Sequence, residues 1–421
     1  MNKLIISLVF ICITSSLFAQ DFPSTPDTLR KDALRVFMMA DDYIKREIPF
    51  INYVRDMQEA QVYIISTSER TGSGGRNYTY FLVGQNEFKN MSDTISVASS
   101  PDDTQDQIRQ KQVLMLKMGL MRYVAKTPLA SHFDILFTQP VEEVVSTDKW
   151  DSWVFSTRLN GFFNGQKKYT SNDYYGSFSA SRVTQNWKLI FDLSFSHGDE
   201  KFTIDEDIVT SVNRSKSFES FIVKSISDHL SIGGSAEAGS STYRNKEAYI
   251  QLMPGIELNV FPYSESTRRQ FRFLYSAGYL YNDYYETTVY DKLHEGLWKH
   301  SLDITYTVIQ KWGSINIGTE WSNYLHDWSL NNLSLSGNME FRITKGLRLN
   351  LGGGASLIHD QISLVKGGAS AEEILTRQKE LETQYSYFTS FGISYTFGSI
   401  FNNVVNPRFG NGGGRNMIII M

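Results

Sequence analysis

From Leu381 to Phe397 the chain alternates with period two. Tyr385, Tyr387, Phe391, Ile393, Tyr395 and Phe397 share one parity, and Gln384, Ser386, Ser390, Gly392, Ser394 and Thr396 share the other. Such alternation makes a strand with one apolar and one polar face. The same period governs everything beyond Trp150. It predicts twelve strands, near 151–164, 171–184, 186–197, 216–227, 229–240, 247–261, 269–283, 295–310, 312–323, 328–343, 346–360 and 382–398. In one of them Trp187, Leu189, Phe191, Leu193 and Phe195 oppose Lys188, Asp192, Ser194 and Ser196; in another Leu333, Leu335, Met339, Phe341 and Ile343 oppose Asn338, Glu340 and Arg342.

The connections alternate in length. Thr184-Gln185-Asn186, Ser227-Asp228-His229, Gln310-Lys311-Trp312 and Thr344-Lys345-Gly346 are short, whereas 198–215, 284–294 and 361–381 are long and polar. Only 262–268 is long for the short-turn side. Short periplasmic turns, long external loops and aromatic strand ends are the pattern of an outer-membrane barrel, and an even strand count puts both chain ends in the periplasm. A soluble sandwich also alternates, but it buries its apolar face. The expectation is therefore a mainly β chain, with a twelve-stranded antiparallel transmembrane β-barrel over 150–398 and a periplasmic tail at 399–421.

Residues 20–138 read differently. Strand candidates lie at 34–39, 61–66, 78–83 and 94–98, and after the first of them Asp41-Asp42 caps a helix through Tyr43-Ile44-Lys45-Arg46 that Pro49 interrupts before Phe50 to Arg55. A second helix begins at a capping box, Thr104 with Gln107, and carries Ile108, Leu116, Leu120, Tyr123 and Val124 on one stripe. The predicted order is β-α-β-β-β-α, a small α/β periplasmic domain, with 139–149 as linker. Arg70-Thr71-Gly72-Ser73-Gly74-Gly75-Arg76 lies between two strands and lacks a Gly-Lys-Ser/Thr ending. That makes it a hairpin loop rather than a phosphate cradle.

The first 19 residues read as an export signal: Lys3, the apolar run from Leu4 to Ile13, then Leu17-Phe18-Ala19 before the cut. The single cysteine, Cys12, leaves with it, so the mature chain has no disulfide or thiolate metal site. Ile11 before Cys12 is not the small residue that lipid attachment needs. A net charge of −4 without a basic cluster excludes a nucleic-acid partner. Aromatics reach 14% while mean hydropathy is −0.29, which suits a barrel and excludes a helical membrane protein.

Two resemblances follow. The ending Tyr395-Thr396-Phe397-Gly398-Ser399-Ile400-Phe401-Asn402-Asn403-Val404-Val405-Asn406-Pro407-Arg408-Phe409 resembles that of an uncharacterised Bacteroidetes outer-membrane barrel family. The loop from Ala369 to Gln378 and Thr71-Gly72-Ser73-Gly74-Gly75 fit it as well. That resemblance implies the architecture and no established activity. The N-terminal element order, with an Ala-Gln-Val-Tyr strand opening a Gly-rich hairpin, resembles periplasmic domains of the TolB N-terminal type. Such domains hold partner proteins.

With the polar parity inward, the interior carries Arg158, Lys188, Arg272, Lys299, Arg342 and Arg348 against Asp192, Glu237, Glu257, Asp303, Glu320 and Glu340. Six against six predicts a salt-bridged, filled interior, since enclosed charges pair; a selective pore favours one sign. For lipid hydrolysis a Ser and a His would have to meet at the lipid-facing rim. His300 and Ser220 share the apolar parity, but no sequence feature brings them together. The reading is not an enzyme and needs no cofactor. It is an envelope platform held in outer-membrane lipid, inserted by the barrel assembly machinery, with a periplasmic protein partner. The alternative is a small-solute channel gated by the periplasmic domain.

Overall fold

The computed structural model describes residues 32–72, 74–134, 148–204, 207–368 and 379–399. The expected export signal, most of the linker, the loop stretch 369–378 and nearly all of the tail lie outside the described residues.

The N-terminal part is a five-stranded sheet with helices. Its strands are β1 (Arg35–Phe37), β2 (Asn52–Tyr53), β3 (Val62–Arg70), β4 (Arg76–Gly84) and β5 (Ser92–Ser99), with α1 (Asp42–Glu47) after β1 and α2 (Gln105–Val124) after β5. The order across the sheet is β2-β1-β3-β4-β5. β1 runs parallel to β2 and β3, and β3, β4 and β5 are antiparallel. The expected order gains one element, the two-residue strand β2, which is too short to show any period.

Local signals explain the helices. The Asp41 carboxylate accepts the Ile44 N–H at 2.8 Å, satisfying one of the amides that a helix start leaves unpaired. The capping box at α2 is complete: Thr104 Oγ1 accepts the Gln107 N–H at 3.3 Å, and Gln107 Oε1 accepts the Thr104 N–H at 2.8 Å. From there α2 lays Val113, Leu116, Leu120, Tyr123 and Val124 against Val36, Val62, Ile64 and Leu82 to make the core. The Gly-rich stretch is the β3–β4 hairpin loop, closed by Thr71 N–H to Gly75 O at 3.0 Å. Gly74 sits at φ +83, a conformation that a side chain would strain.

The rest is one twelve-stranded antiparallel sheet in sequential order. Its strands are β6 (Trp153–Gln166), β7 (Tyr169–Val183), β8 (Trp187–Ile204), β9 (Asp207–Ser225), β10 (Leu230–Ser241), β11 (Lys246–Asn259), β12 (Arg269–Tyr284), β13 (His294–Gln310), β14 (Gly313–Tyr324), β15 (Asp327–Thr344), β16 (Leu347–Ile358) and β17 (Tyr385–Tyr395). The expected loop 198–215 is instead mostly strand: β8 and β9 stay paired from Gly198↔Asn213 to Ile204↔Asp207. Asp199, Glu200 and Lys201 are polar on both parities, so the ladder continues where the period-two signal has ended. Among the described residues β6 and β17 have no pairing with each other, and each leaves one edge free.

Candidate functional site

Residues opposite one another in a ladder share a face, as do residues two apart along a strand. By that rule all twelve charges named from the sequence lie on one face of the large sheet. Asp192 stands opposite Glu219, Glu219 opposite Glu237, and Glu237 opposite Gln251. Glu257 faces Leu274, Leu274 faces Asp303, and Asp303 faces Glu320. Arg272 faces Thr305 and Lys299 faces Tyr324, both in step with Asp303. Arg342 stands opposite Arg348, and Glu340 is two residues before Arg342. Arg158 faces Ser177, which faces Ser194, in step with Asp192 and Lys188.

These charges do not close into a salt-bridge network. Arg272 reaches Glu257 at 3.8 Å and Arg348 reaches Glu340 at 3.9 Å. Lys299 pairs with Asp360, from the connection after β16, at 3.4 Å. Among the described residues Asp192, Glu219, Asp303 and Glu320 form no ion pair, and Glu237 accepts only the Tyr249 hydroxyl, at 2.7 Å. A balanced count fixes how many charges are present, but register decides which ones meet. Here register sets acid level with acid, on β8–β10 and again on β13–β14. The sequence reading missed Glu219 because β9 is apolar on both parities there, with Phe218, Phe221, Ile222 and Val223.

At the loop end three connections lock together. Asn245 is buried, with φ +54. Its Oδ1 accepts the Glu286 N–H at 2.8 Å, and its Nδ2 donates to Glu286 O at 2.8 Å and Ser363 O at 3.1 Å. The Val289 N–H reaches Leu364 O at 2.8 Å, and Ile362 packs among Leu280, Leu297, Tyr324 and Leu330. These connections border an open cavity of about 770 Å³ lined by Arg244, Lys246, Lys299, Tyr324, Asp360 and Glu380 with their neighbours. Gln251 lines both this cavity and a smaller one of about 200 Å³ farther along the same face, beside Glu257 and Asp303. Arg244 and Lys246 were also missed from the sequence, because they lie at a strand boundary where no period operates.

At the turn end the N-terminal unit docks. Asp56 Oδ2 accepts the Gly346 N–H at 2.8 Å, and Glu59 pairs with Lys345. The Arg342 guanidinium lies 4.5 Å from the centre of the Phe37 ring, and Arg268 lies 4.8 Å from that of Phe81. Arg55 donates to Gly398 O at 3.3 Å. A Cβ on Gly72 would fall within 2.7 Å of the Val183 Cβ, and one on Gly74 within 3.5 Å of Val154. The contacts thus run from β6 and β7, past the β11–β12 and β15–β16 connections, to the residues after β17. The overlong connection 262–268 is part of this footing. It holds a 3₁₀ turn, Tyr263–Glu265, whose Tyr263 hydroxyl donates to Glu257 at 2.9 Å. Burial, with the Glu257 carboxylate adding to it, pushes the Tyr263 phenol up to about 12. Between unit and sheet is a cavity of about 580 Å³, lined by Arg55, Lys311, Trp312, Arg342, Arg348 and Tyr395 among others.

His300 is buried on the apolar face, its ring 5.0 Å from that of Trp321 and 5.7 Å from that of Trp328. Ser220 is on β9, and three strands separate β9 from β13. At roughly 4.8 Å per strand the two side chains lie far beyond hydrogen-bond reach. Among the described residues there is no cluster of three His, Cys, Asp or Glu side chains that could hold a metal ion.

No protein-family model matches the chain, and no curated protein matches it. Among solved structures it is similar to CdiB from Acinetobacter baumannii, with 7% identity and a TM-score of 0.29, over 86% of this chain and 74% of that one. A likeness at that score adds nothing to the geometry above, and neither resemblance drawn from the sequence gains a match.

Proposed function

We propose that this chain is an outer-membrane β-barrel that encloses a solute path, with its N-terminal α/β unit closing the periplasmic end. The docked unit carries the reading: its contacts cross the turn end of the sheet from the first strand to the last. The membrane is supported by the other face. Leu159, Phe178, Leu193, Leu252, Leu335 and Phe391 are exposed there, side chains that a sheet in water would cover. The strands run from 11 to 19 residues, enough for the roughly 9–11 residues that a tilted strand needs to cross a bilayer. Closure between β6 and β17 completes the barrel, because lipid cannot satisfy a free sheet edge. The unpaired acids, and two cavities that share Gln251 in their linings, favour a path over a sealed interior.

Single-channel conductance in planar bilayers tests this, comparing the mature protein with a variant lacking residues 20–149. Steps only in the shortened protein are the expected result. Steps in both would remove the gate and keep the path. Silence in both, with the barrel shown folded by heat-dependent gel mobility, would sink the path.

A second reading has its own observation. The outer face of α2 exposes Leu114 at 61% and Met118 at 63%, and β5 is an edge strand. An edge of this kind accepts a strand from another protein, which supports a platform for a periplasmic partner. Site-specific photocrosslinking from Met118 in cells would trap that partner. A crosslink-free result beside a positive control on the same helix would count against it.

A further inference from the structure

We propose that the loop-end cavity binds a small soluble anion carrying phosphate or carboxylate groups, held by Arg244, Lys246 and Lys299. Four cationic side chains line it, Arg244, Lys246, Lys299 and Lys379, against two carboxylates, Asp360 and Glu380. Lys299 is tied to Asp360 at 3.4 Å and Lys379 to Glu286 at 3.0 Å. Glu380 accepts from Gln361 Nε2 at 2.8 Å. Arg244 and Lys246 have no ion pair and no side-chain hydrogen bond among the described residues; the Lys246 amine instead lies 5.1 Å from the centre of the Tyr249 ring. Two neighbouring cations lining one open cavity repel each other, and an anion between them relieves that repulsion.

The site is set before any ligand arrives. Asn245 stands between the two cations, and its side chain fixes their turn to the connections at Glu286 and Ser363. Asp360 is likewise fixed, accepting from Asn332 Nδ2 at 2.9 Å, and so holds Lys299 in place. A backbone turn fixed in advance loses little freedom on binding. The volume of about 770 Å³ suits a small solute, since ligand sites span roughly 300–1,000 Å³. An Arg fork takes two oxygens of one phosphate or carboxylate, and a Lys adds a point charge. The favoured ligand therefore carries at least two negative charges. It comes from water rather than from lipid, because the cavity opens on the polar face of the sheet, opposite the exposed apolar one. Glu237, opposite Gln251 of the lining, marks the inner edge of the site, and its charge turns the anion back toward the mouth.

This inference deepens the solute-path reading, and its test reads binding rather than conduction. Full-length protein in detergent is titrated calorimetrically with inorganic phosphate and with citrate. The expected result is saturable binding of at least one of them, weakened by added salt. The loss in the Arg244→Gln/Lys246→Gln double variant is about tenfold or more, while Lys366→Gln on the neighbouring loop leaves binding unchanged. Heat-dependent gel mobility shows whether the double variant is folded; if it is not, the single variants Lys246→Arg and Lys246→Gln replace it, the first retaining and the second losing affinity. No saturable binding of either anion by the native protein, or equal loss in Lys366→Gln, overturns the site. Saturable binding with silent bilayers would sink the path and leave the site, and conductance without binding would do the reverse.

Discussion

The Asp56 carboxylate accepts the Gly346 backbone N–H at 2.8 Å, joining residues 290 positions apart. Gly346 sits at φ +72, in the tight turn between β15 and β16. A carboxylate-to-amide bond left unmade costs about 1–3 kcal/mol. Asp56→Ala combined with Lys345→Ala should loosen the α/β unit from the sheet without unfolding either part. Limited proteolysis of the full-length protein in vesicles should then cut the segment between the two parts faster than in the native chain. An unchanged cleavage rate would show that the docking rests elsewhere.

The sequence foretold the large sheet well, because the strands are long and most carry one mainly apolar face, as in Trp187 to Phe195. It foretold the helix starts from Asp41 and Thr104, whose side chains cap as their type and position demand. It could not show β2, two residues long, or the continuation of β8 and β9 beyond residue 197, where both faces turn polar. The site was only half legible. The parity of Asp192 and Glu237 put both on the polar face, but their meeting through Glu219 depends on register across three strands. The docking of Asp56 on Gly346 depends on tertiary placement, for which no period or motif speaks.

The level acids should govern ion preference once the turn end is open. In the variant lacking residues 20–149, reversal potentials across a salt gradient should favour cations, since rings of one charge select the opposite one. Asp192→Asn, Glu219→Gln and Glu237→Gln together should abolish most of that preference. A reversal potential indifferent to all three changes would place the selecting groups elsewhere.

Alkaline pH should weaken the α/β unit. Tyr53 is buried, and its hydroxyl donates to Ile44 O and Ile48 O, each at 3.3 Å. Burial first, then the Asp41 carboxylate, hold its phenol well above the ordinary value of 10.0; burial does the same for Tyr80. A folded value above the unfolded one means the contribution is whole below about pH 10 and is lost as pH rises toward the folded value. Tyrosinate absorbance should lag in the native protein and appear together with loss of the unit's structure. Tyr53→Phe/Tyr80→Phe should flatten that loss.

The core of the unit should respond in proportion to what each residue does. Leu116 is wholly buried under the sheet, so Leu116→Ala should cost about 2–5 kcal/mol. Thr104→Ala removes only a cap and should cost about 1 kcal/mol. Denaturant midpoints of the α/β unit within the full chain would rank the two, and a reversed order would contradict the packing described.

The free edges of β6 and β17 give the N-terminal unit a mechanical meaning. On one side Gly72 and Gly74 press on the ends of β6 and β7; on the other Arg55 grips the segment after β17. The two end strands of the sheet are thus held by one unit of the same chain. Any pull on that unit reaches both ends of the sheet at once, rather than a single strand.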